Sequence, residues 1–508
     1  MSQFMQFGQA ALQNKNLVEA IDWFTKAAIA TPQDPQVRAC LGQCLCWQGK
    51  RNEGVLHLRH SGQWLLKKAR KHRETNSALD LIEQLHYWQD YSGALELCKQ
   101  AVQINPVQAR GYHLLALTHA QLHQNKSALT AGRKALRLLP DNAILELLLA
   151  SLEASEGLTT EAKRRLEKIL QKSSLAPEEQ FRAHKELARI LDKRAEYAQV
   201  FHHLHASAAI SSQLPEVSRQ NADLIPQSLE GHKAEFDREL LGRWSKTEFP
   251  TDQPAPVFLL GFMRTGTTLT QEVLGTHPGV FVADETDLIN SSIKELNRLS
   301  NHQGSVAEQL RKLDLAGVLH LRDFYWTQAR GLYGDKIGSR LLLDKTTMNS
   351  LDLGFINCIF PDAKLVFLLR DPRDVCLSCF MQTMTPTSTT VHLLSWQGTA
   401  RFYAQVMDWW LTIKPKLTLD FIELRYEEAV FEFERAFRKV FNLLGLDWDP
   451  AVADFHKQAA GKYIASPSFS QVAQPLYSSS VGRWQKYATE YPAISDYLQP
   501  FLAAFEYD

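Results

Sequence analysis

Over the first 210 residues apolar positions recur at helical spacing, and small residues recur at a longer one. Ala94, Ala128 and Ala162 lie 34 residues apart, as do Ala101 and Ala135, Pro106 and Pro140, Ala109 and Ala143, and Ala116 and Ala150. Small residues at a fixed offset predict two helices of a hairpin that approach closely. A proline at a fixed offset predicts the end of the second helix, because it lacks an amide hydrogen and clashes with the turn before it. Earlier copies fall around Gly8, Ala20, Phe24, Ala27 and Pro32, then around Leu41 and Gly42. Residues 50–77 depart from the pattern and predict one irregular repeat, and a hairpin over 183–208 is expected to cap the stack. Beyond residue 256 the pattern changes. Continuous apolar runs at 257–260, 341–343 and 365–369 end in glycine or charge, which predicts buried strands of a parallel sheet. A shorter run spans 280–283. The reading is therefore a helical repeat domain over 1–210, a helical linker over 211–255 and an α/β domain over 256–508.

The 34-residue period is a tetratricopeptide (TPR) register, so the first domain is expected to be a helical solenoid. Its groove would hold an extended peptide or a partner helix, with homodimerisation or simple support of the second domain as the alternatives. The chain has 508 residues and 45% hydrophobic content, enough for two or three packed cores. Its 56 basic and 56 acidic residues balance. The basic cluster over 67–73 therefore reads as a solvated helix face rather than a nucleic-acid site, with contact to an acidic peptide as a second use. Seven cysteines, an odd number without framework spacing, point to a reducing compartment. Cys376 and Cys379 form C-x-x-C but lack a second pair for metal, so they are read as packing residues and no metal is expected. No signal peptide or membrane-spanning run is visible, and a cytoplasmic location is expected.

The chemistry concentrates in two strand-turn-helix segments. In the first, Gly261 and Gly266 bracket a turn after the 257–260 run, and Thr265, Thr267 and Thr268 stand at its end. Glycine lets successive N–H groups turn inward, and a following helix adds its unpaired N–H groups, so an anion belongs there. The spacing is that of a Walker loop, but Thr267 occupies the lysine position and Arg264 lies inside the loop. In the second, Arg370 stands at the carboxyl end of the 365–369 run, followed by Asp371-Pro372-Arg373, with Ser378 on the next helix. A forked guanidinium and a hydroxyl suit a terminal phosphate. Lys345 ends the 341–343 run in Asp344-Lys345-Thr346. Glu285 follows the 280–283 run, with Asp284 beside it expected to point the other way on an extended chain.

These motifs resemble those of sulfotransferases that use 3′-phosphoadenosine-5′-phosphosulfate (PAPS), and most closely the tyrosylprotein sulfotransferase family. That family's P-R-S-G-T-T loop corresponds to Met263-Arg264-Thr265-Gly266-Thr267-Thr268, its H-P to His277-Pro278 and its E-E-T to Asp284-Glu285-Thr286. Met263 replaces the proline. The resemblance implies that residues 261–268 hold the 5′-phosphosulfate and that Arg370 and Ser378 hold the 3′-phosphate. It also implies that Lys345, with Arg264, neutralises the leaving oxygen. Glu285 is the implied general base. Two alternatives stay open: Glu285 as a mere helix cap, or His277 as the base, as in cytosolic small-molecule sulfotransferases. The Tyr426-Glu427 stretch resembles a structural element of the family. Residues 468–484 resemble its C-terminal loop over the cofactor, which makes Ser468 and Arg483 candidate contacts. A protein tyrosine is the first-choice acceptor. A carbohydrate or small-molecule hydroxyl comes second, and an inactive TPR scaffold is the rival from another class.

Overall fold

The computed structural model describes residues 3–249, 254–459 and 476–507. The chain divides into two compact units, residues 1–196 and 197–508.

The first unit is a run of antiparallel helical hairpins: α1 (Gln3–Gln13) with α2 (Leu17–Ala30), α3 (Pro35–Trp47) with α4 (Arg51–Ala69), α5 (Asn76–Tyr87) with α6 (Tyr91–Ile104), α7 (Ala109–Gln121) with α8 (Asn125–Leu138), and α9 (Ala143–Ser155) with α10 (Thr159–Leu170), followed by α11 (Pro177–Lys193). The repeated alanines are its contact points. Ala94, Ala128 and Ala162 are all fully buried, as are Ala116 and Ala150. At Gly8 a β-carbon would stand 2.5 Å from the Phe24 ring, so only glycine admits the partner helix there. Polar residues open several helices. The side chains of Asn16, Asp34, Asp90 and Asn142 each accept a backbone N–H of the first turn. Pro32, Pro106 and Pro140 follow the ends of α2, α6 and α8, as the spacing predicts. The irregular repeat is a longer helix: α4 has 19 residues, whereas α2, α6 and α8 have 14. Its last turn carries Lys67 and Lys68, where cations meet the free carbonyls.

The hairpin expected to cap this stack is divided. α12 (Val200–Ser211) belongs to the second unit, because its Phe201 ring packs on Trp396 and Tyr487, with centroids 5.3 and 5.4 Å away. The expected linker is likewise packed. Phe236, Leu240 and Leu241 are buried, the Leu241 carbonyl accepts Asn357 Nδ2 at 2.9 Å, and the Phe236 carbonyl accepts Lys416 Nζ at 2.9 Å. These partners lie more than a hundred residues downstream, beyond the reach of a local pattern.

The second unit is built on five parallel strands: β1 (Val257–Gly261), β2 (Val280–Asp284), β3 (Leu341–Lys345), β4 (Lys364–Leu369) and β5 (Asp420–Arg425), in the order β2-β3-β1-β4-β5. The central β1 is buried at every position, whereas edge strands β2 and β5 keep partly exposed residues. After β3 the chain crosses β1 to form β4. That reversal opens a crevice beyond the carboxyl ends of the strands, where ligands bind in such sheets. Trp410 of the helix Trp396–Ile413 stacks on Phe367 of β4 with centroids 3.7 Å apart, which seals one face. Among the described residues no helix is long and apolar enough to cross a membrane, and no group of side chains could hold a metal ion. The seven cysteines are free thiols, and buried Cys379 donates to the Met263 carbonyl at 3.5 Å.

Candidate active site

Each of the first four strands ends in one piece of chemistry, and the sheet order brings the pieces to a single cavity of about 280 Å³. The loop after β1 forms its floor. Gly266 has φ of +106°, and a β-carbon there would lie 2.5 Å from the Tyr426 ring. Glycine is required at this point because the left-handed turn and the close ring leave no room. Thr265 Oγ1 donates to the Phe262 carbonyl at 2.7 Å, which closes the turn from inside. The helix Thr267–Thr276 then begins, and its first-turn N–H groups face outward along its axis. Thr267 and Thr347 share a hydrogen bond of 3.0 Å, fixing this helix to the segment after β3.

On the β4 side, Arg370 Nη1 donates to the Arg264 carbonyl at 3.0 Å and Nη2 to the Ser480 carbonyl at 2.6 Å. Its guanidinium also lies over the Tyr426 ring, 4.7 Å from the centroid. Arg264 Nε donates to Ser378 Oγ at 3.1 Å. Burial pulls the Arg264 pKa down, with Arg370 and Arg483 adding to that pull. An anion among these guanidiniums would relieve the repulsion. The Nε of Arg370, buried, has no acceptor among the described residues. Asp374, wholly buried, accepts the N–H groups of Gly482 at 2.7 Å and Trp484 at 2.8 Å, and lies 3.7 Å from Arg370. Burial pushes its carboxyl up. Asp374 thus ties the segment carrying Ser480 and Arg483 to the helix Pro372–Met381, which follows Arg370.

On the β3 side, Lys345 is buried, with its Nζ 2.6 Å from Glu285 Oε1 and 3.2 Å from Asp284 Oδ1. Burial alone would lower its pKa, but Glu285 and Asp284 outweigh that and raise it, so the amine stays charged. The expectation that Asp284 points away from Glu285 is corrected here. Glu285 has φ of +48°, which breaks the alternation of an extended chain and brings both carboxylates to one lysine. A clamp holds this turn. Glu285 N donates to the Lys345 carbonyl at 2.8 Å, while Thr346 Oγ1 accepts Thr286 N and bonds the Thr286 carbonyl, each at 3.0 Å. His277 is placed elsewhere. Its Nδ1 accepts Gly279 N at 3.0 Å, its Nε2 meets the Asp447 carbonyl at 3.2 Å, and it does not line the cavity.

This donor set lines one cavity with the guanidiniums of Arg264 and Arg370 beside Ser378 and with a lysine beside a carboxylate. Residues 256–450 match the model of the sulfotransferase family. The C-terminal unit carries a sulfotransferase-family domain. An uncharacterized protein of Aquifex aeolicus (strain VF5) is 24% identical over 351 residues, 67% of this chain, which spans 44% of that relative's length. Protein-tyrosine sulfotransferase A of Caenorhabditis elegans is 25% identical over 272 residues, 50% of this chain and 67% of the relative. The solved sulfotransferase domain from the curacin biosynthetic pathway is 16% identical and covers 50% of this chain and 98% of its own, with a TM-score of 0.36.

Of the residues expected from the sequence, Arg264, Gly266, Thr267, Thr268, Glu285, Lys345, Arg370, Ser378 and Arg483 line the cavity. Thr265 lies beneath it, closing the loop. Ser468 falls outside the described residues. Arg264, expected to act beside Lys345, is bonded into the Arg370 and Ser378 group. Three residues were given no part in the site by the sequence, Tyr426 having been read only as part of a structural element. Tyr426 carries the Arg370 guanidinium and fills the space beside Gly266, Asp374 anchors the C-terminal segment, and Thr346 clamps the turn at Glu285. Only Tyr426 had a signal of its own, the resemblance of the Tyr426-Glu427 stretch to a family element.

Proposed function

We propose that the chain is a PAPS-dependent sulfotransferase whose acceptor is a hydroxyl, with protein tyrosine as the first choice. The observation that carries this reading is the Glu285–Lys345 pair in the cavity that also holds Arg370 and Ser378. A phenol, with a pKa near 10, needs its proton removed as it attacks, and a carboxylate at hydrogen-bond reach supplies that help, worth roughly 10²- to 10⁴-fold. The donor substrate supplies an activated sulfuryl group. Arg264, Arg370, Ser378 and the loop N–H groups would bind and orient its phosphates, the Arg370 Nε among them. Lys345 would hold positive charge where negative charge develops on the leaving oxygen, and Glu285 would take the acceptor's proton. Glu285 is favoured over His277 because both His277 nitrogens are engaged outside the cavity. The resemblance of Asp284-Glu285-Thr286 to the E-E-T motif, and the similarity to a protein-tyrosine sulfotransferase, support tyrosine as acceptor. The cavity of about 430 Å³ on α7 and α8, lined by Tyr112, His119, Lys134 and Arg137, is where the repeats would hold a protein acceptor.

Calorimetry with 3′-phosphoadenosine-5′-phosphate, adenosine 5′-monophosphate and ATP with magnesium tests the donor. Tight binding of the bisphosphate alone, weakened by Arg370→Ala, is expected. A preference for ATP with magnesium, or no nucleotide binding, overturns the reading. Transfer of radiolabelled sulfate from PAPS to tyrosyl peptides, compared with sugars, then tests the acceptor.

A further inference from the structure

The general base and the leaving-group cation cannot remain each other's only partners if Glu285 is to accept a proton. Lys345 is 2% exposed in its side chain, and its amine faces two carboxylates: Glu285 at 2.6 Å, 48% exposed, and Asp284 at 3.2 Å, 27% exposed. The backbone keeps Asp284 on this side of the sheet. Asp284 and Lys345 are register partners across the parallel pair β2-β3, and partners in register share a face. Glu285 reaches the same amine only through its left-handed turn and presents the more exposed carboxylate to the cavity. We propose that Asp284 is a positioning residue, the resident counter-ion of Lys345, which keeps that amine charged while Glu285 exchanges its ion pair for the acceptor's proton.

This inference rests on the reading of the cavity as a sulfuryl-transfer site. In the step, the acceptor oxygen forms a bond to sulfur as its proton passes to the Glu285 carboxylate. The bond from sulfur to the bridging oxygen breaks, and its electron pair stays on the 5′-phosphate oxygen beside Lys345. Before transfer the three side chains carry two negative charges and one positive. Afterwards Glu285 is neutral, and Lys345 and Asp284 balance each other. Without Asp284 the proton would have to be taken while a buried ammonium lost its last carboxylate, and burial disfavours such a charge strongly.

Two variants test this. Glu285→Gln reproduces the state after proton uptake and needs no turnover. Its affinity for 3′-phosphoadenosine-5′-phosphate is expected to stay level from pH 6 to 9, because Asp284 alone holds the Lys345 charge. A tenfold or greater decline of affinity toward pH 9, absent from the wild-type protein, overturns the proposal. Asp284→Asn, assayed with PAPS and a tyrosyl peptide, is expected to lose roughly 10- to 100-fold in kcat with little change in KM for PAPS. The basic limb of its pH–rate profile is expected to move to lower pH, and Asp284→Glu to restore it. An unchanged rate and profile overturns the proposal. So does a loss equal to that of Glu285→Gln with no shift of the basic limb, which would make Asp284 a second base. Wild-type protein that binds no bisphosphate refutes the sulfotransfer reading instead, so the two failures are told apart.

Discussion

Replacing Lys345 by methionine removes the charge and keeps the length of the side chain. Lys345 is buried and its ammonium is fixed by two carboxylates, so it needs no reorganisation when charge develops on the leaving oxygen. At an effective permittivity of about 20, a unit charge roughly 4 Å from a developing unit charge is worth about 4 kcal/mol. Loss of one preorganised donor at a transition state costs a similar amount, roughly 3 to 4 kcal/mol. At 1.36 kcal/mol per tenfold, kcat should fall on the order of 10²- to 10³-fold. The ground-state effect should be smaller, because in the proposed reading Arg264 and Arg370 would still hold the donor's phosphates: KM for PAPS is expected to rise less than about tenfold. Asp284 and Glu285 lose their cation but remain partly exposed to water, so the fold should survive. The assay is single-turnover transfer from labelled PAPS, with bisphosphate calorimetry and a thermal melt as controls for binding and folding. A kcat within tenfold of wild type, in a protein that melts normally and binds bisphosphate, refutes the role given to Lys345.

Gly266→Ala forces a left-handed residue to carry a β-carbon 2.5 Å from the Tyr426 ring. It should destabilise the domain by about 1 to 3 kcal/mol in a urea melt and weaken bisphosphate binding at least tenfold. His277→Gln should lower stability modestly through the lost bonds to Gly279 and Asp447 yet leave kcat within about threefold. A hundredfold loss would move the base to His277. Asp344 is buried beneath the site, and burial pushes its carboxyl up to about 7. A carboxyl raised on folding contributes stability that is complete below its unfolded value near 4 and is lost as pH rises to about 7. Asp344→Asn, which can still accept the Tyr325 hydroxyl, should therefore melt higher than wild type at pH 8 and show a weaker decline of melting temperature between pH 5 and 8. A variant that melts lower at pH 8 with an unchanged slope would contradict this.

Much of this architecture was legible because it is written locally. The 34-residue recurrence of buried alanines marks the hairpins, and apolar runs ending in glycine or charge mark the strands. The two strand-turn-helix motifs are short, and each follows directly on its strand. What escaped was set by contacts between distant segments. α12 has the spacing of another repeat helix, yet Phe201 packs on Trp396 and Tyr487, so tertiary packing assigns it to the second unit. Asp284 was misplaced because alternation holds only for extended residues, and the turn at Glu285 is held by Thr346, sixty residues downstream. The bond from Arg264 to Ser378, on the helix after β4, joins residues 114 apart and had no local signal.

The tripeptide Asp344-Lys345-Thr346 shows how one strand end can serve both the core and the chemistry. Asp344 turns into the core, where Tyr325 donates to it at 2.8 Å and its raised pKa leaves a sizeable neutral fraction near pH 7. Lys345, the next residue on the strand, turns toward the site. A fully ionised Asp344 would add a third carboxylate to a cluster with one ammonium, strengthening the hold on that proton and opposing negative charge in the cavity. Thr346 meets the Asp344 carboxyl at 3.4 Å as well as the Thr286 backbone, so the group beneath the site also touches the clamp on Glu285. The Asp344→Asn variant separates these effects. If only the charge matters, transfer at pH 8 should be preserved or improved. If the Thr346 contact matters, kcat should fall while bisphosphate binding stays intact, because Arg370, proposed to hold a phosphate, follows β4, across β1 from β3.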